Sequence, residues 1–369
     1  MRSIRLLIVT HAPLSAELGA GQVALNLAEA LRTEGHDVTV WSPYPLSTQT
    51  RWWQTIQQMR SKLDGFIETN KPFDVIDTPA MLITRRVSQS ALVVARSVQP
   101  YLLYLAHSLN DQLDISLRGI VRAPFSYLYS IFQILLVLQG WRRARYILCL
   151  GSLELNWMKR WFPWWKTKLM SYLHGLSAAD REALAKVRLQ RQQHLGESIQ
   201  FLWIGRWASH KGITELLEFI VKRAALRPQD TFTIAGCGSK AEEDSPPELL
   251  RSGKLKILPS FNRNELYSLL ADHNVGLFTS RVEGWGLSLN EMLESGMPVF
   301  ATSAGGVPDL QPFFQEKLRA FPPPLELNAD TLTTSIFPED YYQVFSWESI
   351  AETYANSIFL PFNSHKIET

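Results

Sequence analysis

Short runs of β-branched and other apolar residues alternate along the chain with longer stretches in which apolar positions recur every three or four residues. That alternation is the pattern of parallel strands joined by crossover helices. In the first half it predicts strands at residues 4–10, 38–41, 75–77, 92–95, 102–106 and 146–150. The first intervening helix runs from Gln22 to Thr33, and Gly35 stops it, because the left-handed residue that ends a helix costs least as glycine. The runs pause between residues 173 and 198, then resume at 201–204, 231–235, 255–258, 275–278 and 299–301. The pause predicts an N-terminal Rossmann-like domain over 1–175 and a second over 176–346, with a helix in 347–369 packing back on the first domain. The expected class is α/β, two doubly wound domains facing a cleft. Ligands of such sheets bind beyond the carboxyl ends of the strands, which makes the cleft the first place to look for function.

Composition narrows the picture. With 369 residues, 46% of them hydrophobic and 20% charged, the chain is long enough for two cores and is neither disordered, collagenous nor coiled-coil. The net charge of +2 is too small to argue for a nucleic-acid partner. Divided at residue 180, however, the two parts carry +7 and −5, so the first is the basic one. Cys149 and Cys237 are the only cysteines, and their separation excludes a disulfide scaffold or a zinc site. Nothing near Met1 has the shape of a signal peptide. The longest apolar region, 123–138, is interrupted by Pro124, Ser126, Ser130 and Gln133 and falls short of the roughly 20 residues that span a bilayer. A cytoplasmic protein is the expectation.

The most specific segment is Glu283 to Glu291, EGWGLSLNE. Gly284 and Gly286 disfavour helix, whereas Leu287 to Ser295 has helical spacing and meets Gly296 and Pro298 as stop signals. Glu283 is therefore expected in a loop and Glu291 on a helix. Carboxylates so placed can each accept hydroxyl protons from the vicinal diol of a ribose or pyranose. A second segment, Gly205 to Gly212, reads GRWASHKG directly after the first strand of the second domain. A guanidinium (Arg206), an ammonium (Lys211) and a helix start at Gly212 together make a site for a diphosphate. His107, after the predicted strand 102–106, projects toward the cleft. Taken singly, each feature has an ordinary alternative: a surface glutamate, solvated cations, a structural histidine. Gly19-Ala20-Gly21 opens a G-x-G-x-x-A match, yet eight residues separate Thr10 from Gly19 and the second strand ends in Trp41-Ser42 with no acidic ribose ligand. Both departures exclude a nicotinamide dinucleotide site.

Together these segments resemble the retaining glycosyltransferases of family 4 (glycosyl transferases group 1), which have the GT-B fold. The resemblance rests on Gly205-Arg206 with Lys211-Gly212, on Glu283 and Glu291 with seven residues between them, and on Gly296-Met297-Pro298 leading to Gly305-Gly306-Val307-Pro308. It extends more loosely to Gly19-Ala20-Gly21, the helix after it, and His107. It implies a nucleotide-sugar donor on the C-terminal domain and a carbohydrate or lipid-linked acceptor on the N-terminal one, in surface polysaccharide or glycolipid synthesis. Arg206 and Lys211 would neutralise the departing diphosphate, Glu291 would bind the ribose and Glu283 would meet the transferred sugar. Gly284, Trp285, Gly286 and Leu287 would offer backbone N–H groups to the donor. Gly19, Gly21 and Gly205 would lie against the donor diphosphate, and His107 beside the donor sugar. The chain has no Asp-x-Asp, so the reaction is expected to need no metal and no cofactor besides its UDP-, GDP- or other nucleotide-sugar substrate. Two departures, His174-Gly175-Leu176-Ser177 and Ser260, bear on the hinge and the nucleobase. An epimerase, or a binding protein without turnover, is the alternative.

Trp157, Trp161, Trp164 and Trp165 are interleaved with Lys159, Arg160, Lys166 and Lys168, just after Arg142, Arg143 and Arg145. Indole rings beside cations suit the surface of an anionic bilayer, where each nearby cation is worth about 1 kcal/mol. A peripheral position on the inner face of the cytoplasmic membrane follows as an expectation. The alternative is that the tryptophans belong to the core.

Overall fold

The computed structural model describes residues 3–15, 19–47, 54–70, 72–111, 117–191, 198–328, 332 and 337–367. The chain forms two compact units, residues 1–174 with 343–369, and residues 175–342. In the first, strands β1 (Arg5–Val9), β2 (Asp37–Trp41), β3 (Val75–Thr78), β4 (Leu92–Arg96), β5 (Tyr146–Leu150) and β6 (Leu169–Tyr172) alternate with helices α1 (Gly19–Thr33), α2 (Thr55–Thr69), α3 (Arg85–Ser90), α4 (Tyr101–Asp111), α5 (Leu117–Arg143) and α6 (Gly151–Trp161). All pairings are parallel, in the order β2-β1-β3-β4-β5-β6. The second unit runs α7 (Ala178–Arg191), β7 (Gln200–Ile204), α8 (Ile213–Leu226), β8 (Thr231–Ala235), α9 (Lys240–Asp244), α10 (Pro247–Arg251), β9 (Leu255–Leu258), α11 (Arg263–Asp272), β10 (Val275–Phe278), α12 (Leu287–Glu294), β11 (Val299–Ala301), α13 (Val307–Phe314) and β12 (Leu318–Ala320). Its sheet is also parallel, ordered β12-β11-β10-β7-β8-β9. Helices α14 (Tyr341–Phe345) and α15 (Trp347–Ile367) follow.

Strands covered on both faces are buried along their length and mostly apolar, and a charge among them needs a buried partner. Every residue of β3 and β10 is buried. Strand order reverses between β1 and β3 in the first sheet and between β7 and β10 in the second. At such a switch point the helices leave on opposite faces and open a crevice above the strand ends. Each unit has one.

Three expectations are corrected. Residues 102–106 are not a strand: they lie in α4, where Leu102, Leu103, Leu105 and Ala106 are good helix formers without β-branching. His107 therefore sits on a helix, and the residues that leave the neighbouring strand end, after β4, are Ser97 to Gln99. The helix expected from Gln22 begins at Gly19, so Gly19 and Gly21 are its first turn instead of a loop. A Cβ on Gly21 would stand 2.4 Å from the Ser15 carbonyl oxygen, so packing against the preceding segment requires this glycine. The short edge strands β6 and β12 escaped the pattern at four and three residues. The last segment joins the first unit from Gln343 onward; in it α15 packs on α1, and Tyr354 donates to Asp77 Oδ2 at 2.9 Å.

Candidate functional site

The switch point of the second unit gathers most of the residues singled out in its sequence. From β7 the chain passes Gly205 and Arg206, makes a short turn over Ser209–Lys211 and starts α8. From β10 it passes Thr279 and Ser280 to Glu283. Several hydrogen bonds tie the two segments. Trp203 Nε1 donates to Thr279 Oγ1 at 2.9 Å, Thr279 Oγ1 donates to the Lys211 carbonyl at 2.7 Å, and the Arg281 N–H donates to the His210 carbonyl at 2.8 Å. Gly212 has φ 66°, and a Cβ there would lie 2.0 Å from the Thr279 carbonyl oxygen. No other residue allows both that turn and that approach.

Lys211 Nζ pairs with Glu283 Oε2, which also accepts from Ser280 Oγ at 3.0 Å. Both charged side chains are about one-eighth exposed, at 13% and 12%. Arg206 is exposed and has no ion pair or hydrogen bond among the described residues. The turn thus presents one cation held by a carboxylate and one open to solvent.

The loop from Glu283 to Gly286 is shaped by what packs beneath it. The Trp285 side chain is buried, and its Nε1 donates to Asn290 Oδ1 at 2.8 Å. Trp285 thus belongs to the core, and only its backbone could meet a ligand. The Gly306 N–H donates to the Trp285 carbonyl at 2.9 Å, while Cβ atoms on Gly305 and Gly306 would stand 2.5 Å from that carbonyl oxygen and 2.9 Å from the indole. This explains the Gly305-Gly306 pair as a close backbone approach. Gly286, at φ 91°, precedes α12, so the N–H groups of Leu287 and Ser288 are free of intrahelical partners and available at the helix start.

Glu291 lies on α12 as expected, but it is buried and already paired. Arg263 Nη1 donates to its Oε1 at 2.5 Å, while the Arg263 Nε donates to Asp180 Oδ1 at 2.8 Å. Tyr267 and Ser177 also donate to Asp180, at 2.6 Å each. These bonds hold the Asp180 carboxyl below its usual pKa, while burial pushes that of Glu291 up against the pull of Arg263. Glu291 Oε2 has no partner among the described residues, which leaves it free to accept a hydroxyl proton. Neither Arg263 nor Asp180 carries a sequence signal, since lone charges in amphipathic helices read as solvated faces.

Beneath this network Glu294 is fully buried, accepting from Tyr341 and Tyr342 hydroxyls at 2.9 Å each. Burial raises its pKa to about 7. A carboxyl whose folded pKa exceeds its unfolded value stabilises the fold below the unfolded pKa and loses that contribution as pH rises through the folded one. Glu294→Gln cannot ionise. Between pH 5 and 8 its stability should rise relative to the parent by as much as about 3 kcal/mol, read from urea unfolding at each pH; parallel profiles would refute this.

Of the remaining expected residues, Gly19, Gly21 and His107 belong to the first unit, on α1 and α4. The tryptophan cluster divides. Trp157 and Trp165 pack against the first core with Phe162, which stacks on Trp165 at 5.4 Å. Trp161 and Trp164 are 58% and 67% exposed. Lys168 donates to the carbonyls of Arg142 and Ala144 and so serves the fold. Helix α5 adds a surface that the sequence pattern does not announce: Leu128, Ile131 and Leu135 are all more than half exposed and share one face at 3.6 residues per turn.

Two doubly wound parallel sheets define the GT-B class. Solved structures similar to the chain over nearly its whole length share that fold. Sucrose-phosphate synthase from Thermosynechococcus elongatus superimposes with a TM-score of 0.70 at 16% identity, over 97% of this chain and 99% of that one. Anabaena Alr3699/HepE in complex with UDP-glucose gives 0.56 at 16% identity, over 99% and 98%. Residues 187–311 match the family described as glycosyl transferases group 1, so the second unit carries a domain of that group, and the match contains Arg206, Lys211, Arg263, Glu283 and Glu291. The gpi3 subunit of phosphatidylinositol N-acetylglucosaminyltransferase from Schizosaccharomyces pombe is 29% identical over 163 residues, which is 40% of this chain and 35% of that relative. The chain thus aligns with about a third of that relative's length.

Proposed function

We propose that the chain is a retaining glycosyltransferase of the family-4 type, moving a hexose from a nucleotide diphosphate to an acceptor hydroxyl in surface polysaccharide or glycolipid synthesis. The observation that carries the reading is the convergence of Arg206, Lys211, Glu283, the α12 start and Glu291 on one switch point. Arg206 and Lys211 take the diphosphate and stabilise the charge it gains on leaving, and such electrostatic stabilisation is usually what lowers the barrier most. Glu291 Oε2 accepts a ribose hydroxyl, and Glu283, held by Lys211 and Ser280, faces the transferred sugar. The two cations supply the positive charge a metal would supply, so no metal is required. The acceptor belongs to the first unit. A uridine nucleotide is the first donor to test, given the UDP-glucose bound by one structural neighbour.

Calorimetric titration with UDP, GDP, ADP and TDP, with and without EDTA, tests the site. One nucleotide should bind selectively and independently of chelator. Arg206→Ala and Glu291→Ala should each weaken it at least tenfold, the loss of one charge-assisted contact. Binding untouched by both substitutions would remove the donor site from this switch point.

The exposed Trp161 and Trp164, with Lys159, Arg160 and Lys166 around them and the aliphatic face of α5 in the same unit, suit an anionic lipid surface. The protein should sediment with phosphatidylglycerol vesicles at low salt, and Trp164→Ala with Lys166→Ala should reduce the bound fraction several-fold. Equal sedimentation of parent and double variant, or none by the parent, would reject membrane contact.

A further inference from the structure

Tyr341, the first residue of α14, lies beyond the stretch 187–311 that matches the family, yet its side chain reaches the helix that carries Glu291. It is fully buried. Its hydroxyl donates to Glu294 Oε1 and accepts from Asn290 Nδ2, both at 2.9 Å. Asn290 and Glu294 are themselves fully buried and stand one turn apart on α12. Asn290 Oδ1 accepts in turn from the Trp285 indole N–H at 2.8 Å. The bonds therefore run in one line, each group donating to the next: Trp285, Asn290, Tyr341, Glu294. Tyr342 donates to the other oxygen of the same carboxyl, Oε2, at 2.9 Å and stands outside that line.

We propose that Tyr341 is a positioning residue for the nucleotide-sugar donor: through Asn290 it holds the Trp285 indole, and with it the backbone of residues 284–287, in the arrangement that meets the donor. The inference rests on the glycosyltransferase reading and adds to its donor site a residue from outside the matched stretch. The direction of the line is what gives Tyr341 this hold. A carboxylate only accepts, so Glu294 commits the Tyr341 proton and leaves the Tyr341 oxygen to accept. Asn290 must then turn its amide nitrogen toward Tyr341 and its oxygen toward Trp285. Without the hydroxyl the amide can turn end for end, and the indole N–H would face another donor. An indole can swing about the bond beyond its Cβ, and one orientation alone brings Nε1 to that oxygen. The surroundings cannot absorb a swung ring: a Cβ on Gly306 would already stand 2.9 Å from the indole, and the Gly306 N–H donates to the Trp285 carbonyl at 2.9 Å. In so close a packing the ring moves only if the loop that carries it moves.

Calorimetry on the full chain with UDP, or with whichever of GDP, ADP and TDP the parent binds, tests this at a temperature well below each variant's unfolding transition. Tyr341→Phe and Asn290→Leu should each weaken nucleotide binding about fivefold, the scale of one lost hydrogen bond. The double variant should be no weaker than the worse single one, because both cut the same line. Tyr342→Phe takes a hydroxyl from the same carboxyl and leaves the line intact, so it should lower the urea midpoint as Tyr341→Phe does but keep the affinity within about twofold. A purely structural Tyr341 would move the urea midpoint and not the affinity. That result, or equal weakening by Tyr341→Phe and Tyr342→Phe, overturns the proposal. Should Asn290→Leu lose its native circular dichroism, the two tyrosine variants decide. If the parent binds no nucleotide, the donor reading falls, and hydrogen exchange of the 284–288 amides in the free protein judges the hold on the loop by itself: faster exchange in Tyr341→Phe than in Tyr342→Phe upholds it, and equal exchange overturns it.

Discussion

Replacing Lys211 with methionine should lower kcat for sugar transfer by roughly 10²–10³-fold, the effect of removing one preorganised charge-stabilising donor. The ammonium is well placed for this. It is carried by the turn between β7 and α8, the Thr279 hydroxyl fixes the Lys211 carbonyl, and Gly212 lets that turn lie against β10. Its energy is therefore spent on position before any substrate arrives. In the structure Lys211 is neutralised by Glu283, so diphosphate binding has to share or replace that pair. Glu283→Gln tests this directly. Freed of its carboxylate, Lys211 should bind nucleotide diphosphate more tightly, while transfer falls because the sugar loses a hydrogen-bond acceptor. Lys211→Met leaves Glu283 mostly buried with Ser280 Oγ as its side-chain donor, so some of its effect is the cost of that orphaned carboxylate. The double variant separates the two: if catalysis needs the ammonium itself, transfer stays low when Glu283 is also neutralised. Recovery to near the parental rate in the double variant would show that Lys211 serves only to hold Glu283.

Fold class and most of the strands were legible because parallel strands covered on both faces are mostly apolar, which leaves blocks such as residues 201–204 and 275–278 standing clear of their surroundings. The misreading at 102–106 has the same origin: a short apolar run of leucines looks like a buried strand until β-branching is weighed against length. Within the second unit the motif residues announced themselves because glycine is compelled there by close backbone approach. A Cβ on Gly212 or Gly305 would strike a carbonyl oxygen, and such compulsion leaves a pattern in sequence. Arg263, Asp180 and Tyr341 have no such constraint on their neighbours. Each is one polar residue on a helix whose partners come from other elements, 83 residues away for the Arg263–Asp180 pair, and no local period encodes that. The tryptophan cluster was half legible for a related reason. Composition located the aromatic and basic residues, but only the packing of Phe162 on Trp141 and Trp165 decides which rings are spent on the core.

Asp77→Ala should destabilise the first unit by about 3–5 kcal/mol, the cost of stranding a buried charge. Arg96 is 2% exposed and Asp77 not at all. Without the carboxylate the guanidinium keeps, among the described residues, the Val9 carbonyl alone, and the Tyr354 hydroxyl loses its acceptor. The second consequence is the more informative, because Tyr354 lies on α15 and is 277 residues from Asp77. Through that bond the end of the chain is fastened beneath the sheet whose strand ends carry His11 and Ser97. The variant should therefore unfold at lower urea and also expose residues 343–367 to protease before the rest of the unit opens. Tyr354→Phe removes the hydroxyl but spares the ion pair, and should cost only about 1 kcal/mol with the same early cleavage. Asp77→Leu with Arg96→Met, which replaces both charges by apolar bulk, should recover most of the stability, since a buried pair often contributes little beyond its apolar replacement. If Asp77→Ala proves as stable as the parent in urea, Arg96 must reach water on losing its partner, and the buried pair would not be what holds α15 in place.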